Sequence, residues 1–464
     1  MTPEEFRQAA HEAVDWMADY LADIRGYRVF PQMQPGDLIR QLPAAGPEQG
    51  EPWERILEDF IRRIVPATTH WNHPRFFAYF AISASGPGIL GEMLAAALNV
   101  NGMLWRTSPA ATELEQVALG WLRDWLGLPA AFFGVIHDTA STGVMHALAA
   151  AREQAAPGAR RRGVAPGLVL YVSEHAHNSI EKAAVTLGLG SDFVRKIPTD
   201  AAFAMDVAAL EEAIARDRAA GLRPFAVAAT IGTTSFTGVD PVAAIAAITR
   251  REGLWLHVDA AYAGPCALLD EMRPHFAGWE LADSVIVNPH KWLFTPVDAS
   301  LLYIRRPELL REAFAVDTPA YLRAPEPDQT LNYSEYGLPL GRRFRSLKLW
   351  FVLRACGREG IRAILRDHLR WAARLADRIR AHPDFELIAE PRFSLVCFRL
   401  RGSDEANHRL VDRVNATGKL FVSGTQYRDR YVIRLAVGNV ATTEADVDLA
   451  WETFLAASRS GNRD

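Results

Sequence analysis

Phe6, Ala10, Val14, Met17, Leu21 and Ile24 recur at intervals of three and four residues, with mostly polar residues between them. That spacing predicts a helix with one apolar face. Thr2-Pro3-Glu4-Glu5 supplies its start: Thr2 as N-cap, Pro3 at the first helical position, Glu5 closing a capping box. Gly26 stops the run. A stripe on one side only must be covered, either by its own domain or by a partner subunit, and the pattern allows both. Residues 27–50 are rich in Pro and Gly and read as an extended arm, and 53–65 read as a second amphipathic helix. The run from His70 to Phe80 crowds aromatics among polar breakers, which fits either a core loop or the wall of a pocket.

Residues 86–134 follow a helical pattern, broken near Asn101-Gly102 and at Ser108-Pro109. From about Val135 the pattern alternates. Strands are predicted at 168–172, 225–231, 254–258, 284–287 and 300–304, with helices at 144–152, 180–187, 207–218 and 241–251. Strands separated by helix-length segments predict an α/β fold with a mainly parallel sheet covered by helices. In such sheets ligands sit beyond the carboxyl ends of the strands. Residues 314–341 form a long irregular segment with four prolines, Pro319, Pro325, Pro327 and Pro339, a length that marks a functional or mobile loop. A helical region follows from Arg345 to about His382, then a small α+β part with strands at 395–400 and 431–436 and two helices. The predicted division is 1–85 for an N-terminal helical dimerisation segment, 86–365 for a large α/β domain and 366–464 for a small C-terminal domain.

Composition narrows the class. The 464 residues are 49% hydrophobic and 23% charged, with a net charge of −4. That is globular, and it lacks the basic excess a nucleic-acid or anionic-membrane partner requires. No apolar run reaches the length of a membrane span. The three cysteines, Cys266, Cys356 and Cys397, match no metal spacing and fit a reducing compartment. The N-terminal stretch has no continuous apolar core of the secretory kind. A cytoplasmic, soluble protein is expected.

Four stretches carry candidate chemistry, each at a predicted strand end or helix start. Asn288-Pro289-His290-Lys291-Trp292 follows an apolar strand. A lysine there is costly unless it is paired or chemically engaged, and a desolvated lysine forms Schiff bases with carbonyls. His257-Val258-Asp259-Ala260-Ala261 ends another strand with a carboxylate that needs a cationic partner. Glu174-His175-Ala176-His177 follows a third strand, and a histidine there can stack on a flat ring or move a proton. The two histidines lack a nearby third ligand, so no metal site is expected. Asp138-Thr139-Ala140-Ser141-Thr142-Gly143 opens a helix, which suits either plain N-capping or a phosphate. A lysine, a buried carboxylate, a stacking histidine and an anion site together suit pyridoxal 5'-phosphate.

These stretches, with Gly232-Thr233-Thr234 and Pro339-Leu340-Gly341-Arg342-Arg343-Phe344-Arg345-Ser346-Leu347-Lys348, resemble the group II pyridoxal-phosphate decarboxylases, and most of all the aromatic L-amino-acid decarboxylase family. The resemblance implies the fold-type I architecture of pyridoxal-phosphate-dependent transferases. It implies Lys291 as the cofactor's Schiff-base lysine, Asp259 against the ring nitrogen, and His177 and Ala261 on the two ring faces. Thr139, Ala140 and Ser141 match the phosphate turn, Asn288 and His290 lie near it, and Thr234 matches a cofactor contact. Tyr321 matches a tyrosine on a mobile loop that protonates the product with help from His177. Trp71, Tyr79, Phe80 and Ile82 are the implied substrate contacts, with Gly341, and Met103 reaches a partner's pocket. The implied assembly is a homodimer with its active site at the subunit interface.

The implied reaction is decarboxylation of Trp, Phe, Tyr or DOPA to an arylalkylamine and CO2. Decarboxylation with oxidative deamination to an aromatic acetaldehyde is the alternative. A non-aromatic decarboxylase and a non-catalytic cofactor-binding module fit less well. Two departures from the family stand out: Ala81-Ile82 replaces the usual Pro-Thr and favours less polar rings, and Asp138-Thr139 replaces the commoner Gly-Ser.

Overall fold

The computed structural model describes residues 1–164, 166–315 and 330–460. The chain divides into two compact units. One comprises Met1–Ala81, Arg378–Ile388 and Phe398–Asp464; the other comprises Ile82–Asp377 and Ala389–Cys397.

The larger unit is built on seven strands: β1 (Phe133–His137), β2 (Leu168–Ser173), β3 (Val194–Ile197), β4 (Arg223–Thr230), β5 (Trp255–Asp259), β6 (Ser284–Val287) and β7 (Ser300–Ile304). Their order across the sheet is β1-β7-β6-β5-β4-β2-β3. The pairs β2–β3, β2–β4, β4–β5 and β5–β6 are parallel. β7 is antiparallel to both β6 and β1, so β1 runs the same way as β6. β7 alone is reversed. The connection from β6 to β7 holds a single helical turn, Pro289–Trp292, too little for the covering crossover that a parallel return needs.

β2, β5, β6 and β7 are buried along their whole length, as a sheet covered on both faces requires. The helix Ala140–Ala155 sends Val144, Ala147, Leu148 and Ala151 into a core shared with Val135, Leu170, Val172, Ile286 and Leu302. Four strands escaped the sequence pattern, two of them in this sheet and two, Phe385–Ala389 and Ser423–Tyr427, near the carboxyl end of the chain. β1 lies where the helical pattern gives way, and β3 is a partly exposed edge strand with two basic residues, as edge strands often are. The long helix Arg345–Ala381 is broken at Gly357, whose φ of 61° is left-handed.

The smaller unit opens with the helix Pro3–Ala22, capped as expected: Glu5 N–H donates to Thr2 Oγ1 at 3.2 Å, and Thr2 N–H to Glu5 Oε2 at 2.6 Å. Its apolar stripe is largely uncovered, with Phe6 at 61% exposure and Val14 and Leu21 also exposed. The helix packs instead through Trp16, edge-on to Phe60 at 4.9 Å, and Tyr20, whose hydroxyl meets His70 Nδ1 at 2.8 Å. The second helix is shorter than its pattern: Trp53–Asp59 is α-helical and Phe60–Ile64 widens to a π turn. The remaining strands are β8 (Phe385–Ala389), β9 (Leu395–Leu400), β10 (Ser423–Tyr427) and β11 (Arg430–Ala436), ordered β10-β11-β9-β8. Arg428 and Asp429 turn the β10–β11 hairpin with φ of 46° and 59°, the left-handed pair that a tight hairpin uses.

Candidate active site

Because β1, β2, β4, β5 and β6 share one direction, their carboxyl ends open on one edge of the sheet. The four predicted stretches leave from that edge. Asp259 is the last residue of β5, paired with Thr230 of β4 and Ile286 of β6. Lys291 lies in the turn after β6, His177 follows β2, Thr234 follows β4 and Thr139 follows β1.

Asp259 is 6% exposed, and its Oδ1 accepts the Ala261 N–H at 3.0 Å. That bond fixes the rotation of the carboxylate. Ala260, Ala261 and Ala263 beside it are buried and small. Lys291 is partly buried, and desolvation holds its amine below the usual lysine range against the opposing pull of Asp259. His177 Nδ1 receives the Ser179 N–H at 3.2 Å and meets Ser179 Oγ at 2.7 Å. A nitrogen that accepts cannot carry the proton, so the neutral ring carries it on Nε2. Burial lowers the proton affinity of His177; Asp259 works against this and Lys291 adds to it, so the three groups sense one another. His175 is turned elsewhere, its ring 5.6 Å from Phe203 and 5.5 Å from Phe236. Of the two histidines, His177 is the one brought to Asp259 and Lys291.

The helix Ala140–Ala155 has Thr139 as its N-cap, with Thr142 N–H donating to Thr139 Oγ1 at 3.4 Å. Capping and anion binding are compatible here, since Thr139 and Ser141 are exposed at the helix start. Gly143 brings this helix against β6: a Cβ there would lie 2.4 Å from Ile286 Cδ1. Asn288 and His290 are tied to the far side. Ser300 Oγ donates to Asn288 Oδ1 at 2.7 Å, Asn288 Nδ2 lies 3.2 Å from His290 Nε2, and Ala299 N–H donates to His290 Nδ1 at 3.0 Å. Burial, helped by the Lys291 charge, pushes His290 down to about 4, so it is neutral at pH 7. Thr234 sits in the turn that Thr233 closes by accepting the Gly238 N–H at 2.8 Å.

Met103 and Gly341 meet around Asn101. Asn101 Nδ2 lies 3.6 Å from Met103 Sδ, its Oδ1 accepts the Arg342 N–H at 3.0 Å, and a Cβ at Gly341 would meet its side chain at 3.7 Å. Ile82 begins the larger unit and is partly buried. Trp71, Tyr79 and Phe80 belong to the smaller unit. There the Trp71 and Tyr79 rings stack 5.6 Å apart and are 38% and 52% exposed, while Phe80 is buried with the Arg434 guanidinium 5.4 Å from its ring. Tyr79 adopts a left-handed φ of 53°. Tyr321 lies outside the described residues.

Two partners were missed from sequence. Ser179 carries a local signal, since a serine at a helix start two residues after a histidine can reach its Nδ1. Ser300 carries none, because only the reversal of β7 sets it beside Asn288.

The residues present fit pyridoxal phosphate. A partly desolvated amine, a fixed buried carboxylate and a histidine face lie on one sheet edge. The close approach at Gly143 sets a helix start, with its free N–H groups, against the lysine's own strand. Comparison with known proteins agrees. Residues 35–401 match the pyridoxal-dependent decarboxylase conserved domain. The chain is 42% identical over 469 residues to the aromatic-L-amino-acid decarboxylase of Bos taurus, covering 97% of this chain and 96% of that protein. It is 39% identical to the phenylacetaldehyde synthase of Arabidopsis thaliana, over 97% of this chain and 95% of that one. The crystal structure of Oryza sativa TDC with PLP and tryptamine superposes with a TM-score of 0.96 at 36% identity, covering 99% of both chains. The chain therefore belongs to the pyridoxal-dependent decarboxylase family.

Proposed function

We propose that this protein decarboxylates an aromatic L-amino acid of the Trp, Phe, Tyr or DOPA class to the arylalkylamine and CO2. The observation that carries the reading is the grouping of Lys291, Asp259 and His177 on one sheet edge. Pyridoxal phosphate, when bound, supplies an electron-poor ring that accepts the pair left at Cα as CO2 departs. Lys291 would bind the cofactor aldehyde, since its lowered proton affinity favours the uncharged, nucleophilic amine. Asp259 would keep the ring nitrogen protonated, and Ala261 and His177 would flank the ring. The first-turn N–H groups of Ala140–Ala155, with Thr139 and Ser141, hold the phosphate. His177 carries a proton on Nε2 and aids return of a proton to Cα, with Tyr321 as donor.

Support for an aromatic side chain comes from the relatives and from the stacked, exposed rings of Trp71 and Tyr79. The phenylacetaldehyde synthase relative supports a second reading, oxidative deamination to the aldehyde. The protein acts as a cytoplasmic homodimer. Uncovered apolar faces on Pro3–Ala22 and, separately, on Gly86–Leu98 at Leu90, Leu94 and Leu98 support a partner copy; the three free cysteines support the compartment. Among the described residues no helix is long and apolar enough to cross a membrane. Incubation with Trp, Phe, Tyr, DOPA, His and Glu, read by mass spectrometry and a peroxide assay, tests the proposal. Amine with CO2 from an aromatic substrate supports it. Stoichiometric hydrogen peroxide and aldehyde select the second reading, and turnover of Glu alone sinks both.

A further inference from the structure

Trp292 directly follows Lys291, and its indole is held on two sides. One face stacks on Tyr262, with centroids 4.8 Å apart and planes 2° from parallel. Its Nε1–H donates to His368 Nδ1 at 2.9 Å, with the rings 4° from coplanar, as an in-plane N–H···N bond requires. Trp292 and His368 are fully buried and Tyr262 nearly so. Tyr262 belongs to the chain leaving β5, just beyond Asp259 and Ala261, and its hydroxyl bonds Ser394 Oγ. His368 comes from the long helix Arg345–Ala381, where Phe294 meets its ring edge-on at 6.0 Å.

The stack therefore joins the two strand exits that carry Asp259 and Lys291, and the hydrogen bond fixes the stack to a third element. On the other side of Lys291, His290 Nδ1 accepts the Ala299 N–H at 3.0 Å. Both chain neighbours of Lys291 are thus bonded through buried imidazoles. Successive side chains in a helical turn point about 100° apart. Fixing residues 290 and 292 therefore fixes the direction in which Lys291 leaves the backbone. Apolar side chains could fill the same volume without a directional bond, whereas a buried N–H···N pair tolerates one orientation.

We infer that Tyr262, Trp292 and His368 form a positioning unit that sets the Lys291 amine against the Asp259 carboxylate, with His368 as its anchor. The inference rests on the reading of Lys291 as the cofactor-binding lysine. His368→Leu removes the acceptor, His368→Asn keeps one near the Nδ1 position, and Leu365→Ala weakens the buried core on the same helix while keeping all three residues of the stack. Three quantities are read on the full chain: melting temperature of the cofactor-free protein, Kd for pyridoxal phosphate by fluorescence quenching, and the pH midpoint of the visible band of the loaded protein.

His368→Leu is expected to raise Kd about tenfold and to move the pH midpoint by about half a unit or more, as differential interactions on this scale do. His368→Asn restores both, and Leu365→Ala lowers the melting temperature while leaving both in place. If His368→Leu does not fold, Trp292→Phe, which keeps a stacking ring but loses the donor, must show the same two changes. Shifts in Kd and midpoint that follow the loss of melting temperature equally in Leu365→Ala would overturn the inference, as would an unchanged Trp292→Phe. A wild-type protein whose visible band resists borohydride would sink the Lys291 reading instead, and so the two failures are distinguishable.

Discussion

Asp259 and Lys291 leave neighbouring parallel strands: β5 pairs Asp259 with Ile286 of β6, and β6 runs on into the turn that holds Lys291. The register of one strand pair thus brings a carboxylate and an amine far apart in sequence to one sheet edge. Lys291→Ala is expected to lower kcat by about a thousandfold or more, since it removes both a covalent partner and a proton carrier. The fold should persist, because removing a partly desolvated amine relieves a burial cost. Melting temperature and kcat measured on the same preparation check this, and near-normal turnover would contradict it.

Ser179 sets the tautomer of His177 through Nδ1. Ser179→Ala keeps the backbone N–H but loses the hydroxyl. It is expected to lower kcat roughly three- to tenfold with KM little changed, the scale at which removing an orienting partner acts. Steady-state kinetics check it. An effect on KM alone would show that His177 acts in binding rather than in proton movement.

Burial pushes His146, His257 and His290 in the larger unit, and His73 in the smaller, from 6.5 to about 4. In each case the unfolded chain takes up its proton at a higher pH than the native one. Stability is therefore full above about pH 6.5 and falls as the pH drops towards 4. The melting temperature of the cofactor-free protein should decline steeply across that window, and a flat profile there would contradict the assignment.

Asp446 marks a second, more acid window. Burial opposes its charge, but hydrogen bonds from Arg25 at 2.8 Å and Arg75 at 2.9 Å outweigh this and hold the carboxyl at about 2, below its ordinary 3.8. Its contribution is complete above about pH 3.8 and is lost as the pH falls towards 2. At pH 7 Asp446→Asn should destabilise the protein by roughly 2 kcal/mol, less than for a fully buried pair because Arg25 remains partly exposed. Urea unfolding at pH 7 measures it, and a loss below a few tenths would show the clamp to be unimportant.

The sequence by itself determined the alternation of strands and helices, the capping box at Thr2 and Glu5, and the four stretches of candidate chemistry. Each depends on local spacing and backbone preference, and local signals survive in one dimension. Only the tertiary structure decided the reversal of β7, because strand direction follows from how the short connection after β6 packs. The resemblance singles out His177, and the tertiary structure adds what each histidine faces: His177 senses Asp259 and Lys291, while His175 lies against Phe203. The tertiary structure left Phe6 and Leu21 exposed although their spacing asks for cover, since periodicity tells that a face is apolar and not what lies against it. The Trp292–His368 bond is of the same kind: long-range packing sets such distances, and no local pattern records them.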